Sequence, residues 1–158
     1  MKLQIEKQGE REIVMTRAFR ASKEKVFEAY TMPALLQRWL GIWGKWTMPV
    51  CEVDLRVGGA YRWEWFKAKT GYRMGVSGVY QEVAPPDRLV CTELFDDAWY
   101  PGESLVTVAF LEVDGITTLR MTMRYATAEA RDGVFNSPMA SGVERSFETL
   151  EALLSSGR

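Results

Sequence analysis

Histidine is absent from the chain, which removes both the commonest general base and the commonest metal ligand. Cysteine occurs only as Cys51 and Cys91, far apart and without a CxxC spacing. Two such thiols in apparent strands read as reduced, buried side chains of a cytoplasmic protein, with a disulfide as the alternative. No apolar run approaches the roughly 18–20 residues that span a bilayer, so no membrane insertion is expected. Residues 1–12 have neither the apolar core of a signal peptide nor the Arg-rich bias of a transit peptide. An excess of one charge is also missing. Twenty Lys+Arg against 21 Asp+Glu leave −1, too little to suggest a nucleic-acid partner. GxSxG, Walker and dinucleotide fingerprints do not occur, and Gly71, Gly75 and Gly78 have the wrong spacing for one. Without clustered carboxylates on one element, neither a metal nor another cofactor is expected.

What is present is large apolar surface. Six Trp and eight Met supply bulky, adaptable side chains suited to a core or to the wall of a cavity. The length of 158 residues fits one domain, taken as residues 1–158.

The pattern along the chain predicts a strand over 12–20, then a helix capped by Ser22 with Val26, Phe27 and Tyr30 at helical spacing. Thr31-Met32-Pro33 starts a second helix whose apolar face is Leu35, Leu36, Trp39 and Leu40, ended by Gly41 and Gly44. Strands follow over 50–56, 60–66, 72–83, 88–95, 104–113 and 117–125. Gly58-Gly59 reads as a bend, residues 96–102 as a solvated polar loop, and Asp114-Gly115 as a tight hairpin. Met139, Val143, Phe147, Leu150 and Leu154 then recur at helical spacing, with Glu144, Arg145, Glu148 and Glu151 opposite. This last helix starts near Thr127 and is kinked or restarted at Ser137-Pro138.

The order is strand, two short helices, about six strands and a long helix, which makes an α+β domain. An antiparallel sheet of six or seven strands has one apolar face to cover, and only the final helix is long enough. A bent sheet and a straight helix diverge somewhere, and the short helices and loops then roof a hollow. Packing places that hollow against Met139 and Val143, away from Leu150 and Leu154.

Several segments carry a resemblance. Residues 22–33 with Leu36 and Trp39-Leu40-Gly41, the D-x-R-x-G-G element at Asp54–Gly59, and G-x-Y-x-E-V-x-P-P-x-R-L-V at Gly78–Val90 resemble the Hsp90-ATPase-activator-like branch of the START/SRPBCC superfamily. Ala130-Arg131-Asp132, Ser137-Pro138-Met139, Gly142-Val143 and Leu150 resemble its C-terminal helix. The resemblance runs from about residue 12 to 154. It implies a helix-grip (Bet v 1/START-like) fold, a curved sheet wrapped around a long C-terminal helix with two short helices after the first strand. Related branches include lipid-transfer domains, plant hormone-binding proteins, aromatic polyketide cyclases and a co-chaperone domain, so the fold leaves the activity open.

The candidate residues each have a structural alternative. Tyr61, Trp63 and Trp65 alternate on one strand face and are either core or cavity lining. Met121 and Met123, with Met139 and Val143, are equally ambiguous, and Tyr80 joins them as a candidate. Trp39 reads first as a helix anchor, while Trp43 and Trp46 form a gate or an exposed patch. Asp54 and Arg56 read as a structural ion pair. Glu93 shares a face with Leu89, Cys91 and Phe95. Either it reaches water at the strand end, or it is a buried carboxyl with a raised pKa that anchors a ligand or acts as a base.

The leading reading is a binding protein for a hydrophobic or aromatic small molecule. An Hsp90-linked interaction module is the alternative, and a cyclase, dehydratase or hydrolase using Glu93, Tyr61 and Tyr80 is a third. A homodimer is compatible with any of them.

Overall fold

A computed structural model describes residues 1–156, so the last two residues of the expected domain span, Gly157 and Arg158, lie outside it. Eight antiparallel strands form one sheet in the order β1-β2-β8-β7-β6-β5-β4-β3. They are β1 (Gln4–Gln8), β2 (Glu12–Phe19), β3 (Trp46–Val53), β4 (Ala60–Lys67), β5 (Tyr72–Ala84), β6 (Arg88–Phe95), β7 (Ser104–Val113) and β8 (Ile116–Arg124). Helices α1 (Lys23–Thr31) and α2 (Pro33–Trp39) follow β2, and α3 (Ala128–Phe135) and α4 (Met139–Ser155) end the described chain.

The α+β helix-grip architecture agrees with the sequence reading, with one strand more than expected. Strand β1 pairs with β2 through Gln4↔Thr16 to Gln8↔Glu12, and the two short helices therefore follow the second strand. Its sequence, QIEKQ, half-buries only Ile5. Such a polar strand carries almost no hydrophobic alternation, and its charges suit an open sheet edge. Strand β3 starts at Trp46, earlier than expected, with its register shifted between Thr47 and Val50.

The C-terminal helix is divided as the Ser137-Pro138 signal predicts. Thr127 caps α3 by accepting from the Ala130 N–H at 3.0 Å, and Ser137 Oγ accepts from the Met139 N–H at the start of α4. The Ala130-Arg131-Asp132 segment has a structural task. Buried Arg131 donates to the carbonyls of Gly9 (3.1 Å) and Glu12 (2.9 Å), tying α3 to the β1–β2 turn.

The far end of α4 is packed tight, with Phe147, Leu150, Leu153 and Leu154 buried against the sheet. Beneath it, Ile13, Met15, Arg17 and Phe19 share the inward face of β2, and Arg17 is the exception in that apolar row. Its side chain is 3 % exposed and bonds Glu151 Oε1 at 2.6 Å and the Ala18 carbonyl at 2.7 Å. That guanidinium holds the Glu151 carboxyl below the usual carboxylate range. The resulting stability is complete above the unfolded value of about 4.3. It is lost as pH falls through the lower folded value.

Glu151→Gln should therefore destabilise at pH 7 by about 1–2 kcal/mol, less than a fully buried pair because Glu151 is partly solvated. Urea titrations at pH 7 and pH 3 check this. The wild-type advantage should be full at the first and reduced at the second, where the pH has fallen below the unfolded value.

Candidate functional site

Towards the N-terminal half of α4 the helix and sheet part, leaving a cavity of about 480 Å³. Met139, Gly142, Val143, Ser146 and Phe147 of α4 form one wall. Met15 of β2, Trp63 and Trp65 of β4, Met74 and Val76 of β5, Glu93 and Phe95 of β6, and Met121 and Met123 of β8 form the floor. Tyr30, Trp39, Leu40, Gly41 and Trp43 close one end, and Val134 and Ser137 bound it from α3 and the turn after it. Every tryptophan except Trp46 contributes to this lining.

The end wall is held by indole hydrogen bonds. Trp39 is fully buried, donates to the Ala29 carbonyl at 2.8 Å and stacks on Phe147 at 6.0 Å. It is thus both the helix anchor and the back of the cavity. Trp65 Nε1 donates to the Leu40 carbonyl at 2.9 Å. Gly41 adopts φ +72°, where a Cβ would fall 2.5 Å from that indole nitrogen, so both backbone and space require glycine. Its N–H donates to Ser146 Oγ at 3.0 Å, joining this turn to α4.

The row Tyr61, Trp63, Trp65 divides. Trp63 and Trp65 line the cavity, whereas Tyr61 does not reach it. The Tyr61 ring crosses β5 over Gly78, where a Cβ would sit 2.5 Å from Cε2, and its hydroxyl donates to the Thr92 carbonyl at 2.7 Å. Tyr80 packs beside Tyr61 in the core and does not reach the cavity either. Neither tyrosine is part of the lining, which corrects their assignment to it. Trp43 and Trp46 also separate. Trp43 lines the cavity beside Gly142, while Trp46 belongs to β3 and meets Tyr72 and Lys67.

Among the contributors that sequence reasoning missed, two stand out. The loop 96–102 is solvent-exposed at Asp96 and Asp97, as expected, but it is also a wall: Asp97, Ala98, Trp99 and Tyr100 line the cavity. Asp96 secures its base through a bidentate pair with Arg62 at 2.6 and 2.7 Å. Trp99, 65 % exposed, lays its ring over Gly133 of α3. The signal available was Trp99-Tyr100 itself, since paired aromatics in a polar loop need something to cover. The second contributor is Tyr30, whose helical spacing made it indistinguishable from ordinary core.

Polar groups in the lining are few. Glu93 is half-buried, and its nearest hydrogen-bonding contacts come from Ser104 Oγ, 3.5 Å from Oε1 and 3.3 Å from its own backbone carbonyl. Burial pushes the carboxyl up to about 7, opposed in part by the Ser104 hydroxyl. The sequence alternative that put Glu93 in water at the strand end is therefore replaced by the inward one. The Trp63 indole N–H is buried with no hydrogen-bond partner among the described residues.

Both cysteines are free and half-buried, and burial raises the Cys51 thiol to about 11 and Cys91 to about 12. They stand on β3 and β6, three strand spacings apart in the sheet, or about 14 Å, which excludes a bond between them. Asp54 and Arg56 pair at 3.0 Å on the surface and are not part of the cavity lining. Among the described residues no His/Cys/Asp/Glu group is arranged to hold a metal, and no helix is long and apolar enough to cross a membrane.

The family model for Activator of Hsp90 ATPase homolog 1-like protein matches residues 20–155. The chain belongs to this family. Activator of Hsp90 ATPase homolog 1-like proteins lie within the SRPBCC/Bet v 1-like superfamily, in agreement with the helix-grip sheet. A crystal structure of a Rhodobacter sphaeroides protein is similar over 99 % of both chains, with 36 % identity and a TM-score of 0.92. One from Chromobacterium violaceum is 28 % identical, covering 91 % of this chain and 97 % of its own, with a TM-score of 0.75. An Hsp90 activator from Plasmodium falciparum is 24 % identical over 92 % of this chain and 96 % of its own, with a TM-score of 0.67. That degree of identity shows a shared fold alone. No curated protein matches the chain in sequence.

Proposed function

We propose that the chain acts as one domain that binds a hydrophobic or aromatic small molecule in the cavity between the sheet and α4. The observation that carries this reading is the cavity's size together with its lining. About 480 Å³ bounded by Trp, Tyr, Phe and Met side chains, with one inward carboxyl and one unpartnered indole donor, fits a small-molecule site. A cavity of this character gains affinity from apolar burial and orientation from its few polar groups. Glu93 serves as an anchor for the bound molecule. Tyr61 and Tyr80 are absent from the lining, and the Tyr61 hydroxyl is already committed to the Thr92 carbonyl, which favours binding over cyclase, dehydratase or hydrolase chemistry.

The test uses N-phenyl-1-naphthylamine, an uncharged dye that fluoresces in apolar surroundings. Wild type should bind it saturably at one site and melt at a higher temperature in its presence. Val143→Trp fills the cavity from α4 and should weaken the dye at least tenfold while still unfolding cooperatively. Equal dye binding by a folded Val143→Trp protein, or none by wild type, would remove the reading.

A second reading, action on an Hsp90 chaperone, is favoured by the family's description and by the fold shared with the Plasmodium activator. Stimulation of the host's Hsp90 ATPase by the purified protein supports it, and no change in turnover at saturating protein counts against it.

A further inference from the structure

The cavity's charged groups all have one sign. Its lining holds the carboxyl groups of Glu93 and Asp97 and, among the described residues, no Lys or Arg. Glu93 is the inner of the two. The described residues supply it with one long contact from Ser104 and no counter-ion. Around the same space stand the rings of Tyr30, Trp63, Trp65 and Tyr100.

Aromatic faces carry negative potential and attract cations, most strongly where water is excluded. A carboxylate beside them adds a full charge in the same direction. An anionic ligand would meet repulsion from both. A neutral one would leave the carboxyl either protonated or ionised without a partner, whereas a cation supplies the missing counter-charge.

From this we infer that the occupant is an amphipathic cation, an aryl or alkyl ammonium compound. Its apolar part lies against the methionines of β8 and α4, and its charged nitrogen sits against Glu93 within the aromatic rings. The inference rests on the cavity being a ligand site and adds the ligand's charge.

The groups that face Glu93 leave it as the switch. Tyr30 from α1, Tyr61 from β4, Tyr100 from the loop 96–102 and Tyr125 after β8 are all raised well above neutrality by burial, as is Cys91 on β6. Ser104 from β7 does not titrate in this range. Burial puts the Glu93 carboxyl near 7, so affinity for a permanent cation should tighten as pH rises from 6 to 8.

Three probes sharing a naphthalene ring separate the possibilities: trimethyl(1-naphthylmethyl)ammonium, its uncharged isostere 1-neopentylnaphthalene, and the anion 1-naphthylacetate. At pH 8 the cation should bind at least tenfold more tightly than the isostere, and the anion most weakly. Glu93→Gln should weaken the cation tenfold or more, abolish its pH dependence and leave the isostere within about twofold. If isostere or anion binds as tightly as the cation, or if Glu93→Gln leaves the cation unaffected, the inference is overturned and the ligand site stands. If none of the three binds although N-phenyl-1-naphthylamine does, the inference is overturned and the ligand site stands; if that dye does not bind either, both fall.

Discussion

Glu93→Gln is expected to make the protein more stable above pH 7, by about 2–3 kcal/mol, and to leave its stability at pH 4 nearly unchanged. The sign follows from where the proton sits. Burial raises the folded carboxyl to about 7, against about 4.3 in the unfolded chain. Between those values the folded state holds more protons than the unfolded one, so stability falls as pH rises and is lowest once the folded carboxyl has ionised. Glutamine keeps the shape and removes the ionisation. Urea titrations at pH 4, 6 and 8 should show a wild-type decline that the variant lacks. A variant that parallels wild type across this range would mean that the carboxyl is solvated and that its cavity placement is wrong. A residue that lowers stability at working pH is what a binding site, rather than a packed core, is expected to retain.

Trp39→Ala should cost about 3–5 kcal/mol, the range for truncating a fully buried tryptophan. Three contacts disappear together: the hydrogen bond to the Ala29 carbonyl that joins α2 to α1, the stack on Phe147 of α4, and the tilted packing on Tyr30. The Ala29 carbonyl is left without its donor in a buried place. Because Trp39 backs the cavity, the loss should also enlarge it, so the variant should bind N-phenyl-1-naphthylamine differently from wild type wherever it stays folded. Chemical denaturation monitored by far-UV circular dichroism reads the first effect. A change under 1 kcal/mol would show that α2 is held mainly by other contacts.

The parts of this fold that were legible in the sequence are those where burial and geometry demand particular residues. Ser22 and Thr127 cap helices, Pro138 divides α3 from α4, and Asp114-Gly115 turns β7 into β8. Strand β1 was illegible because an edge strand half-buries one residue and can be polar throughout. Arg17 was hidden for the opposite reason. A charged residue in an inward row reads as a break in the pattern until its partner, 134 residues away on α4, is in view.

At the site, period-two alternation placed Trp63 and Trp65 inward. It could not show that the glycine at position 78 lets Tyr61 lean across β5 to β6. The inward turn of Glu93 depends on how β6 meets β7, and the covering role of Trp99 depends on α3 lying opposite. Both are long-range facts that local patterning does not carry.

The most direct test of the account is a methyl-methionine NMR titration with trimethyl(1-naphthylmethyl)ammonium at pH 8. Met15, Met74, Met121, Met123 and Met139 line the cavity, whereas Met1, Met32 and Met48 do not. Saturable shifts are expected in the first group and little movement in the second. Shifts confined to Met1 and Met32, or none in the lining methionines, would contradict it.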